Sequence, residues 1–317
     1  MKTPILYIVV PCYNEQEVLP VTKDGFLNEL KKLIGSGKIA PESRILYVDD
    51  GSSDDTWAVM QRLSDENERI SAVRLSRNRG HQNALLAGLM TAKDQCDVTI
   101  SIDCDGQDDV NAMDGMIDAY AQGCEIVYGV RSNRDSDTFL KRFTAEGFYK
   151  LLRMMGAEVV FNHADYRLMS ARALKELANY REVNLYLRGM VPLLGYKTST
   201  VEYSRQERQA GKSHYSIRKM LHLAMDGITS LSTKPLSIIT GCGAVFTAAG
   251  ILLAILCIIL SMSGWPAVLS IVMTFSGILS VFMGVLGTYI GKTYIEVKNR
   301  PRYIISEQTE KSSDNDR

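Results

Sequence analysis

A chain of 317 residues with 23% charged side chains and a formal net charge of zero has room for one large or two ordinary domains and the composition of a packed globular protein. No global charge favours nucleic acid, so any anion site has to be local. The apolar residues are unevenly spread: Leu236 to Met262 and Ala267 to Ile290 hold no charged residue, and each stretch is long enough to cross the roughly 30 Å hydrocarbon core as a helix.

In chain order, "ILYIVV", "RILYVD", "ISAVRLS" and "VTISID" read as continuous apolar strands. Helical stretches separate them, from about Glu17 to Ile34, from about Asp54 and from about His81. This βαβα order predicts a parallel sheet covered on both faces, with ligands at the carboxyl ends of its strands. Four loops meet there: "VPCYNE", "DDGSSDDT", "SRNRGHQNA" and "DCDGQDD". Further on, "FNHADYRLMSARAL" reads as a loop leading into a helix. "TFLKRFTAEGFYKLLRMM" and "SIRKMLHLAMDGITSL" read as amphipathic helices suited to a membrane interface.

Basic flanks orient the two spans. Arg218, Lys219 and Lys234 precede the first, Lys292, Lys298, Arg300 and Arg302 follow the second, and the connector "SMSGWPAV" has no Lys or Arg, so both flanks are expected in the cytoplasm. The N-terminal apolar run is too short for a signal peptide and meets Pro11 and Glu15 at once. Six cysteines without a CxxC pair suit a reducing compartment. The expected organisation is a cytoplasmic catalytic domain over 1–212, a juxtamembrane amphipathic helix over 213–235, two transmembrane helices over 236–290, and a cytoplasmic segment over 291–317 ending in the disordered tail "EQTEKSSDNDR".

No GxGxxG follows a strand, and "GKS" at Gly211 lacks the earlier loop glycine because Gln206 stands there. Neither a dinucleotide fingerprint nor a P-loop is present. The loops are acidic instead. Asp49 and Asp50 can accept hydrogen bonds from a ribose or base, and Ser53 or Asp54 can cap the next helix. Strand alternation would send Asp103 and Asp105 to one side with Cys104 opposite. Such hard oxygen ligands suit Mg²⁺ or Mn²⁺ and leave coordination positions for a diphosphate.

Together, "VVPCYNE", "VDDGSSDDT", "SRNRGHQNALLAGL" and "DCDGQDD" resemble the family 2 glycosyltransferases of the GT-A fold. With "YGVRSNR", "LKRF", "DYRLMS", "ERQAGKSHYS" and the paired spans, the chain is similar to the polyprenyl-phosphate glycosyltransferases over about residues 4 to 305. The resemblance implies an α/β, Rossmann-like domain followed by a transmembrane hairpin. It also implies transfer of one sugar, glucose or N-acetylglucosamine, from a UDP-sugar to a polyprenyl phosphate; "NHADYRLMS" leans toward the latter sugar. By motif, Pro11, Tyr13, Glu15, Asp50 and Asp103 would hold the nucleotide, and Asp105 with Gln107 the metal. Asp165 would be the catalytic aspartate, and Arg131, Arg142 and Arg208 would serve the lipid phosphate or the donor diphosphate. Asp165 beside Arg167 also reads as a structural ion pair. Two rivals remain, a processive polysaccharide synthase and a non-catalytic scaffold that binds nucleotide sugars. Both are weakened, the first because "RQERQ" supplies no QxxRW and two spans cannot enclose a sugar channel.

Overall fold

A computed structural model describes residues 3–132, 163–182, 186–204 and 264–309. The expected interfacial helices, the first span, Arg142 and Arg208 lie outside the described residues. An eight-stranded sheet carries the rest of the protein. Its first half is β1 (Leu6–Cys12), β2 (Arg44–Asp49), β3 (Ile70–Leu75) and β4 (Val98–Ser101), joined by α1 (Leu19–Gly35), α2 (Thr56–Glu66) and α3 (His81–Ala92). Then follow α4 (Ala112–Ala121), β5 (Ile126–Arg131), β6 (His163–Ser170), α5 (Ala171–Leu177), α6 (Leu187–Leu193), β7 (Thr198–Tyr203), α7 (Trp265–Lys298) and β8 (Ile305–Gln308).

Strand order is β7-β5-β6-β4-β1-β2-β3-β8. The chain builds β1, β2 and β3 outward in one direction and returns to place β4 on the other side of β1, all parallel. The crevice between β1 and β4 is therefore a switch point, where parallel sheets bind ligands. The expected parallel pairing holds for β1 to β4, and two later strands depart from it. β6 runs antiparallel between β4 and β5, and β8 runs antiparallel along the edge of β3. β6 also replaces the loop expected at Asp165, and β8 takes up Glu307 and Gln308 from the expected disordered tail.

Alternation along the central strand explains the two core layers. Leu6, Ile8 and Val10 pack with Phe26, Leu30, Trp57 and Met113 on one face, while Tyr7 and Val9 meet Leu85, Leu86 and Leu89 of α3 on the other. Burying each of these side chains is worth about 1.5–3 kcal/mol. Helix α3 sits on the sheet through Gly88: a Cβ there would lie 2.5 Å from Val9 Cγ1 and 2.6 Å from Val48 Cγ2. Any larger residue would lift α3 off the sheet, and His81 at its first turn with it.

The second expected span falls inside one continuous helix, α7, of 34 residues. Among the described residues no helix is long and apolar enough to cross a membrane; α7 has side chains described at some positions only, and its full sequence carries no charge from Ala267 to Ile290. Among its described apolar side chains, Val268, Val272, Phe275, Leu279, Met283, Leu286 and Ile290 are exposed, and Ile278, Phe282 and Val285 are half-buried.

Candidate active site

Backbone chemistry locks the first three loops together. Asn14 takes a left-handed φ of 55°; its N–H donates to Ser52 Oγ at 2.9 Å, and its side-chain oxygen accepts from the Ser53 N–H at 2.9 Å. The Glu15 N–H donates to Thr56 Oγ1 at 2.9 Å, and Asp54 accepts from the Thr56 N–H at 3.1 Å at the start of α2. Gly51, at φ 63°, brings the second loop onto the third so closely that a Cβ would lie 2.4 Å from the Arg77 carbonyl carbon.

Asp50 is buried, and its two oxygens accept from the N–H groups of Arg79 at 2.7 Å and Gly80 at 2.9 Å. Burial raises its pKa, and the two backbone donors only partly offset that. Asp50 thus fixes the shape of the third loop. Asp49, expected beside it at the ligand, is fully buried. It accepts from the Ser52 N–H at 2.9 Å and pairs with Arg74 Nε at 3.2 Å. Pro11 is buried within β1, opposite Val48. Tyr13, by contrast, is 46% exposed, an aromatic face at the open end of the crevice that can stack on a base.

The fourth strand stops at Ser101, so Asp103 and Asp105 stand in a turn and not on a strand. The expected sidedness holds all the same: Cys104 is 4% exposed while Asp103 and Asp105 are half-buried. Asp105 accepts from the Gln107 N–H at 3.1 Å across Gly106, whose φ is 69°. Burial and the neighbouring Asp165, Asp108 and Asp105 carboxylates push the Asp103 carboxyl up, against the opposing pull of His81. Asp108, 4% exposed, accepts from Tyr203 Oη at 2.7 Å and pairs with Arg131 Nη2 at 3.4 Å. Arg131 Nε also donates to Tyr203 Oη at 3.2 Å, so the end of β5 and the end of β7 are bound to the acidic loop.

The third cluster surrounds Asp165, on β6. Its Oδ1 accepts from Arg167 Nη2 at 2.9 Å and Arg188 Nε at 3.2 Å. Its Oδ2 accepts from Arg188 Nη2 at 3.0 Å and faces His81 Nε2 at 3.3 Å. Burial alone would raise this carboxyl; His81, Arg188 and Arg167 override it and hold it well below the usual carboxylate range. His81 Nε2 also lies 3.7 Å from Asp103. Burial disfavours the imidazolium, yet the Asp165 hydrogen bond and the two carboxylate charges outweigh that and lift His81 to about 9.

Of the expected site residues, Tyr13, Asp50, Asp103, Asp105, Gln107, Arg131 and Asp165 come to one edge of the sheet, as does the Glu15 backbone, while the Pro11 side chain lies inside β1. The ion pair of Asp165 with Arg167 is present as well. His81, Arg188 and Tyr203 join these residues, although the sequence pattern assigns none of the three to the site. Arg188 left one signal, a lone charge inside the apolar run "LYLRGMVPLL". Among the described residues no three His, Cys, Asp or Glu side chains form a metal cage. Two carboxylates with an amide fit an ion that uses few protein ligands, as Mg²⁺ and Mn²⁺ do.

A largely parallel sheet with a switch point, an aromatic at its mouth and an acidic turn after its fourth strand defines a Rossmann-like α/β domain of the GT-A type. The chain belongs to glycosyl transferase family 2, whose model matches residues 7–178. It is 44% identical over 307 residues to the uncharacterized glycosyltransferase YkoT of Bacillus subtilis, covering 95% of this chain and 91% of that one. It is 36% identical over 306 residues to the SfII prophage-derived bactoprenol glucosyl transferase of Shigella flexneri, covering 94% and 96%. It is 37% identical over 308 residues to the prophage bactoprenol glucosyl transferase homolog of Escherichia coli K12, covering 94% and 97%.

Proposed function

We propose that this protein transfers one sugar, with inversion, from a UDP-sugar to undecaprenyl or another polyprenyl phosphate at the cytoplasmic face of the plasma membrane, supplying a lipid-linked sugar for cell-envelope glycan modification. One observation carries the reading: the acidic turn of Asp103 and Asp105 and the basic groups Arg131, Arg188 and His81 meet at a single sheet edge. A diphosphate donor and a phosphate acceptor repel each other, and a site that joins them needs cations on both sides of the reacting carbon. The names of the Shigella and E. coli relatives favour glucose over N-acetylglucosamine as the sugar.

In the reaction, an oxygen of the lipid phosphate forms a bond to the anomeric carbon as the bond from that carbon to the UDP oxygen breaks, and UDP leaves with the electron pair. A phosphate monoester has a second pKa of about 6 and is largely dianionic at neutral pH, so it needs little help as a nucleophile. Asp165, already holding two guanidinium groups and an imidazole, acts by fixing these cations. Tyr13 would stack on the base, and Asp50 shapes the loop beneath the ribose. Asp105 and Gln107, with Asp103 beside them, would hold Mg²⁺ or Mn²⁺, which when bound offsets charge on the departing diphosphate.

The acceptor's tail stays in the bilayer, so the site has to be held there. The uncharged stretch from Ala267 to Ile290 within α7 would serve as the anchor, since at 1.5 Å per residue it matches the roughly 30 Å hydrocarbon core. The Lys292 and Lys298 end of α7 would emerge on the cytoplasmic side. The deciding assay gives the full chain labelled UDP-glucose or UDP-N-acetylglucosamine, Mg²⁺ and undecaprenyl phosphate. A single-sugar product in the organic phase, stronger with glucose, is expected. Polymer would favour a processive synthase, and nucleotide-sugar binding without product a scaffold; either would overturn the reading.

A further inference from the structure

The C-terminal segment returns from α7 to the catalytic sheet, where it pairs antiparallel with β3, entering beside the start of the third loop and running back toward Ala72. Six residues, 299 to 304, connect α7 to β8. The return is anchored before and after β8: Ser76 N–H donates to the Ile304 carbonyl at 2.9 Å, and Ala72 N–H donates to Thr309 Oγ1 at 2.8 Å. Covering the edge of β3 is reason enough for a strand here. The side chains do something more specific.

Glu307 binds two partners on the sheet. One oxygen accepts from Arg74 Nη1 at 2.9 Å and the other from Trp57 Nε1 at 2.9 Å. The Arg74 guanidinium lies 5.9 Å from the centroid of the Trp57 ring, and its Nε pairs with Asp49 at 3.2 Å. Asp49 is fully buried, and a buried carboxylate needs its counter-charge held in place. Its other oxygen carries the Ser52 N–H at 2.9 Å, and Ser52 Oγ in turn accepts the Asn14 N–H at 2.9 Å. Asn14 is the neighbour of Tyr13. An unbroken series of polar contacts therefore runs from a strand beyond the last helix to the mouth of the crevice.

We propose that Glu307 is a positioning residue for nucleotide binding: it holds Arg74 against Asp49 and so sets the loops that carry Ser52, Asn14 and Tyr13. The proposal rests on the UDP-sugar reading above. An exposed ion pair alone contributes little, but this one fixes a planar guanidinium whose remaining edge compensates a buried charge, a task for which a rigid fork is suited. Because only residues 299 to 304 separate β8 from α7, the seating of that helix and the grip on the nucleotide would be linked.

The test measures UDP binding to the detergent-solubilised full chain with Mg²⁺ or Mn²⁺, by calorimetry and well below the unfolding temperature. It compares wild type with Glu307→Gln, Trp57→Phe and the double variant. Glu307→Gln keeps the shape and loses the charge, and Trp57→Phe keeps an aromatic ring, smaller than the indole, and loses the N–H donor. Contacts within one network couple, so UDP affinity is expected to fall roughly threefold to tenfold in Glu307→Gln and less in Trp57→Phe, with the double variant no worse than Glu307→Gln. In turnover assays the donor KM is expected to rise by the same factor and kcat to change less. Unaltered UDP affinity in a Glu307→Gln protein of lowered unfolding temperature would leave β8 a mere edge cover and overturn the proposal alone. Failure of the wild type to bind UDP would overturn the donor reading and this proposal with it.

Discussion

Asp165 and Asp103 both face the imidazole of His81, at 3.3 and 3.7 Å, but one is hemmed in by cations and the other by carboxylates. Asp165 is 7% exposed and holds Arg167 and Arg188 in addition. Asp103 has three carboxylates as charged neighbours, Asp105, Asp108 and Asp165, set against His81 and the more distant Arg131. The first is a finished ion cluster whose carboxylate has spent its lone pairs and makes a poor proton acceptor. The second is short of positive charge. On the proposed reading, the difference divides the work between Asp165 on β6 and Asp103 in the turn after β4: one is a fixed anion that orders cations, and the other would take a cation delivered with the substrate.

The largest effect is expected where the finished cluster is opened. Asp165→Asn leaves Arg167, 2% exposed, and Arg188 without their carboxylate, and breaking a buried pair in this way costs on the order of 3 kcal/mol of stability. Denaturant unfolding would measure it. The residual turnover should still follow ionisation of the lipid phosphate near a pKa of about 6. A residual rate that climbs steadily with hydroxide would instead make Asp165 the general base.

Asp105→Asn acts on the unfinished cluster and should leave metal-free stability unchanged or improved, because one of several like charges is gone. Turnover should fall roughly 100-fold, the scale of losing one element of charge stabilisation at a departing group, and chelation with EDTA should abolish wild-type turnover. Full wild-type activity in EDTA would remove the metal from the reading.

The contrast also marks what could be read from the sequence. Strands β1 to β4 are legible because each is an apolar run closed by turn residues, and RILYVD coincides with β2. The four loops are legible for the same reason, since the ends of parallel strands must share one edge. β6 is less so: Asp165 and Arg167 alternate with Tyr166 and Leu168 as in a half-buried strand, yet both are buried, and beside Arg167 the partner that allows this, Arg188, stands 23 residues beyond Asp165. β8 was missed for a related reason. All four of its residues are exposed, and what makes it a strand is the edge of β3, more than 230 positions earlier in the chain. Local patterns announce elements that bury their own apolar faces; elements held by distant polar partners carry no such pattern.

His81 belongs to both clusters, and the smallest expected effect comes from its titration. Its folded pKa of about 9 lies above the ordinary 6.5. The stabilisation it lends is therefore complete below about pH 6.5 and is lost as pH rises through about 9. The side chain is 39% exposed, so solvent screens the interaction and the shift should be modest. In metal-free protein the difference in unfolding temperature between wild type and His81→Gln should favour wild type near pH 6 and shrink steadily toward pH 10. Cysteines, tyrosines and lysines titrate in both proteins over that range and cancel in the difference. A difference that does not vary with pH would mean that His81 is neutral in the folded protein and meets Asp165 as a plain hydrogen-bond donor. Asp165 would then depend on its two arginines alone, and Asp103 would have only the weaker pull of Arg131 to set against its three carboxylate neighbours.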